Sequence, residues 1–88
     1  MRLAALVAGF SMLALSAFAA DAAKYAKDGF FVHIHDGRLW VLKDGDPDIE
    51  LVSKNKEPKE VTTRIAAGPD GMTIKSNKGE VIDAYMAK

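Results

Sequence analysis

The chain has 88 residues, with 12 basic and 12 acidic side chains, two histidines and no cysteine. A balanced charge lacks the electrostatic footprint that nucleic-acid or anionic-membrane binding requires, and the missing cysteines exclude both disulfides and a lipid anchor on a thiol. A length of this order makes one small domain.

The chain opens "MRLAALVAGFSMLALSAFAADAAK", with one cation at Arg2 and then an uncharged apolar run from Leu3 to Ala20. That layout predicts a secretory signal peptide over residues 1–19, with Ala17 and Ala19 as the small residues before the cut and Ala20 as the new N-terminus. A cut after Ala22 is the alternative site, and an uncleaved anchor is the competing reading, because the run approaches the roughly 20 residues that span a bilayer. The expected location is therefore periplasmic or secreted, free of the membrane after cleavage. Removing residues 1–19 from the 88 leaves 69, with 11 basic against 12 acidic side chains. Exported domains this small usually gain stability from disulfides, a metal or a partner surface. That leaves a metal, oligomerisation or docking as supports for this chain, or an unaided core that is merely adequate.

Residues 20–29 are alanine-rich and read as a flexible N-terminal arm or a short helical turn, leaving 30–88 as the domain. From Phe30 the pattern is β: "FFVHIH" is aromatic and β-branched, Asp36-Gly37 is a favoured two-residue type I′ turn, and "RLWVL" returns. Asp48–Lys54 offers Ile49 and Leu51 in alternation, and Lys59–Ala67 offers Val61, Thr63 and Ile65, so both predict half-buried strands. The "KNKEPKE" between them reads as a solvated charged loop. Gly68-Pro69-Asp70-Gly71 is a turn leading to a short strand, "MTIKS". In "NKGEVIDAYMAK" Asn77 and Glu80 have capping-box spacing, and Val81, Ile82, Tyr85 and Met86 form one helical face; a final strand is the competing reading. Strands followed by one helix predict an α+β fold: a small antiparallel β-meander of four to five strands with the C-terminal helix packed on one face.

Counting outward from Asp36-Gly37 sets His35 opposite Arg38, Ile34 opposite Leu39 and His33 opposite Trp40. One face then carries Phe30, Val32, Ile34, Leu39 and Val41 and must be the core side. The other carries Phe31, His33, His35, Arg38, Trp40 and Leu42. Three readings suit that second face. It is an ordinary cross-strand ladder, or a docking patch for an envelope protein or a second copy, with Phe31, His33, His35, Arg38 and Trp40 as contacts. The third reading is a copper or zinc site on His33 and His35, two imidazoles on one strand face that need a further ligand such as Met72, Met86 or Asp36, with Trp40 as a lid. Arg38, opposite His35, opposes a cation there.

"DGDPDIE" spaces Asp44, Asp46, Asp48 and Glu50 like the start of a calcium loop, but the glycine and closing glutamate of that loop would fall on Ile49 and Asn55. An acidic turn is the better account. No G-x-S-x-G, phosphate loop or dinucleotide fingerprint occurs, and the histidines and Asp36 do not converge as an acid–base pair, so no catalytic residues are assigned. The sequence thus predicts a small exported binding or accessory protein, not an enzyme. Its partner docks on the hairpin face, and a periplasmic copper or zinc protein is the alternative.

Overall fold

The computed structural model describes residues 21–88; the signal-peptide reading, residues 1–19, lies outside them. Phe30–His35 (β1) and Arg38–Lys43 (β2) form the hairpin, in the register counted from the sequence at all six pairs. Asp36 (φ 53°) and Gly37 (φ 72°) both take the left-handed conformation that a type I′ turn demands. A short helix, Ile49–Ser53 (α1), follows, then Thr62–Arg64 (β3), Ile74–Ser76 (β4) and the C-terminal helix Gly79–Met86 (α2).

The α+β class and the terminal helix are as expected, but the sheet is mixed and its strand order is β1-β2-β4-β3. β4 lies parallel to β2, with Leu39 beside Ile74 and Trp40 beside Lys75, and antiparallel to β3. The chain leaves β2, crosses over through α1, runs out to the far edge as β3 and returns between them. A parallel pair needs such a long connection, here the 30 residues from Asp44 to Thr73, which contain α1 and β3.

One sheet face carries Leu39, Val41 and Ile74, fully buried against Val81, Ile82 and Tyr85 of α2, with Phe30, Val32, Ile34 and Met72 half-buried around them. This is the face assigned to the core. Tyr85 is its keystone: its ring meets Phe30 edge to face, and its hydroxyl donates to the carbonyl of Tyr25 at 2.7 Å. Residues 21–25 are accordingly the helical turn of the two readings, a 3-10 turn docked on the domain, with Tyr25 Oη donating to Asp70 at 2.6 Å. Met86, expected on the buried side of α2, is 41% exposed.

Three local expectations are overturned. The strand read over Asp48–Lys54 is α1, because the inward positions are the half-buried Ile49 and the buried Val52, three apart, and Leu51 is exposed. Its start is built by Asp46, whose Oδ1 accepts the N–H of Asp48 and whose carbonyl accepts that of Ile49. The strand read over Lys59–Ala67 shrinks to three residues, and its faces are swapped: Ile65 is 82% exposed and Thr63 is exposed, while Thr62 and Arg64 are half-buried. Arg64 is turned inward by its ion pair with Asp83 of α2, and a slip of one residue exchanges the two faces of a strand. Asn77 does not cap α2. Lys78 occupies that position with no side-chain bond, while Asn77 is buried and donates through Nδ2 to both Asp46 and Asp48 at 2.9 Å.

Candidate functional site

α1 covers the second face of the sheet. Trp40, Leu42 and Val52 form a second core there, with Phe31 and Ile49 packed against it. Trp40 is therefore only 5% exposed. Its expected role as an open contact residue is corrected: the indole is the floor of the site, because α1 closes over it and Lys75, its neighbour on β4, lays its ammonium 5.0 Å from the ring centroid. Lys75 is held there by Glu57 at 3.2 Å.

Between the turn end of the hairpin and the segment after α1 lies a cleft of about 140 Å³, lined by His35, Arg38 and Trp40 with Asn55, Lys56 and Lys75 among the other walls. Asn55 takes a left-handed backbone (φ 62°), and its N–H bonds the carbonyl of Val52, a turn that swings the chain back toward β1. There its Oδ1 lies 2.8 Å from Nε2 of His33, a bond that places the ring proton on Nε2. His33 also stacks on Phe31, the rings 12° from parallel with centroids 6.3 Å apart. Of the residues expected on this face, His35, Arg38 and Trp40 line the cleft, whereas His33 touches its wall through Asn55 and Phe31 stacks on His33 outside it.

The charges in the cleft are unequal. Lys75 is matched by Glu57, and His35 Nε2 sits 3.3 Å from Asp36 Oδ2. Arg38 and Lys56 have no ion pair among the described residues. An ion pair held against an aromatic floor beside two unmatched cations is suited to receive a carboxylate or a similar anion from outside.

His33 and His35 share a face, as the alternation requires, but their Nε2 atoms are turned to different partners, Asn55 and Asp36. The suggested thioether ligands are misplaced: Met72 packs in the opposite core, and Met86 lies on α2 beyond it. Among the described residues no group of three or more His, Cys, Asp or Glu side chains is placed to hold an ion. Asp46 and Asp48 converge, on the amide of Asn77, which together with the Asp48 N–H holds the Asp46 carboxyl below its ordinary range.

Sequence reading missed Asn55, Lys56, Glu57 and Lys75. The first three sit in a stretch whose charge suggested plain solvation; only α1, absent from the alternating-strand reading, folds it back over the hairpin. Lys75 is placed by the parallel β2–β4 pairing, for which a run of five residues gives no signal. No family model matches this chain, and neither a curated protein nor a solved structure matches it.

Proposed function

We propose that this is a small exported binding or accessory protein that docks an envelope partner at the turn end of the hairpin. The partner's acidic side chain or chain-terminal carboxylate enters the cleft between Arg38 and Lys56. The observation that carries this reading is that unmatched pair of cations at the rim of a cleft with an aromatic floor. Phe31, His33 and His35 extend the contact along β1, and Trp40 supports it from beneath. Truncating Trp40 would therefore report on folding before it reported on docking.

The test is photocrosslinking in cells from a photoreactive residue at position 56. A discrete adduct that is lost when Arg38→Glu is added, in a protein still folded by circular dichroism, is the expected result. An adduct untouched by the charge reversal would remove the cleft from the interface. The copper or zinc reading is the alternative, favoured by the shared face of His33 and His35. It predicts that Cu(I), Cu(II) or Zn(II) titrated into the protein binds at micromolar or tighter levels and that His33→Ala abolishes the binding.

A further inference from the structure

The two edges of the sheet are built differently. β3, at one edge, has three residues, carries Arg64 and ends near the left-handed Ala66. These are the usual means by which a sheet edge is blunted against pairing. β1, at the other, is a six-residue strand, "FFVHIH", with no lysine, acid, proline or bulge.

The direction of its main-chain groups follows from β2. The N–H of Leu39 donates to the carbonyl of Thr73 at 2.9 Å, toward β4. In an antiparallel ladder a residue whose groups face away from its partner belongs to a non-hydrogen-bonded pair. Ile34, opposite Leu39, therefore also points its N–H and C=O away from β2, and so does Val32 two residues earlier. Both face the outer edge, and no backbone hydrogen bond reaches either from the described residues other than β2. Phe30 differs, because its N–H is taken by the carbonyl of Lys27 at 3.1 Å.

The side chains stop short in the same place. Leu39 and Val41 are fully buried, yet Val32 and Ile34, across from them on β1, are only half-buried. Among the described residues the core is open at this edge.

We infer that β1 pairs antiparallel with β1 of a second copy of this chain, about a two-fold axis at His33, to make one continuous eight-stranded sheet. This register matches free groups to free groups: Val32 of each copy pairs with Ile34 of the other, and each such pair exchanges both of its hydrogen bonds. A register centred on Val32 would instead call on the Phe30 N–H, which is already engaged. On the core side the axis sets Val32 against Ile34, two β-branched residues that suit each other across strands. On the other side His33 faces His33, and Phe31 faces His35. From Phe31 to His35 no carboxylate, lysine or arginine enters the pairing. The pairing uses the main chain of β1 and not the cleft cations. Although Phe31, His33 and His35 are shared with the proposed docking contact, Arg38→Glu lies outside the pairing and separates the two readings: it is expected to remove partner capture and to leave the dimer intact.

Sedimentation of the purified protein over a concentration series, with amide hydrogen exchange measured on the same samples, tests the inference. The expected result is a reversible monomer–dimer equilibrium in which the amides of Val32 and Ile34 become protected as concentration rises. His33→Glu, which opposes two carboxylates at the axis, is expected to weaken association about tenfold or more. Its fold is checked by the unchanged exchange of the β2 and β4 amides. A monomer up to about 1 mM overturns the proposal, and so does a dimer that leaves Val32 and Ile34 exchanging freely.

Discussion

Asn77 shows how one buried amide ties two segments of chain together. Its Nδ2 sits 2.9 Å from both Asp46 and Asp48, joining the turn after β2 to the end of β4. Because that amide and the Asp48 N–H favour the charged form, Asp46 ionises below its ordinary value. The group therefore adds stability that is complete above about pH 4, where the unfolded carboxyl is already ionised, and that is lost as the pH falls through the native value. Asp46→Asn replaces one acceptor oxygen by an NH₂ that confronts either Asn77 or the Asp48 N–H. The expected cost is about 1 kcal/mol at neutral pH, discounted for solvent screening, together with a flatter acid limb in stability measured by urea titration across pH. This cluster was legible in the sequence only as an acidic turn with calcium-loop spacing that failed its template. The third member, Asn77, lies 29 residues beyond Asp48 and was assigned a capping role that its local spacing suited equally well.

At the scale of elements, the hairpin was readable to the residue because everything that fixes it is local: the Asp-Gly turn sets the register, and the register sets the faces. α2 was readable because Val81, Ile82 and Tyr85 repeat at helical spacing. α1 was not. Five residues give fewer than two turns, so Ile49-x-Leu51 and Ile49-x-x-Val52 are both present in the pattern, and packing on Trp40 and Leu42 decides between them. The helix therefore depends on its anchor. Val52→Ala, which empties a fully buried site, is expected to cost about 1 to 3 kcal/mol and to release the segment through Asn55. Measured by hydrogen exchange, the amides of Val52 and Asn55 should lose protection while those of β4 keep it. The same loss would undo the cleft, because Asn55 and Lys56 reach His33 and Arg38 only from the end of α1.

For the whole molecule, the two cores lie on opposite faces of one sheet and share the hairpin: on β2 Leu39 and Val41 point one way and Trp40 and Leu42 the other, and on β1 Val32 and Ile34 pack on the first core and Phe31 on the second. Neither core is large enough to stand alone at this size. The expected behaviour is one cooperative transition, in which the ring resonances of Tyr85 in the first core and Trp40 in the second disappear at the same denaturant concentration. A separation of the two would show α1 and its core melting first. The second core was foreseen only as a face that had to be accounted for. What covers it could not be read, since the covering element is the one whose periodicity was ambiguous. The placement of Trp40 has a further, optical consequence. It is the single tryptophan of the chain, shielded from water below the cleft and held under the Lys75 ammonium. An anion that draws Lys75 or Glu57 out of their pairing changes the field across the indole, so the protein's own ultraviolet emission registers occupancy of the cleft without any attached dye.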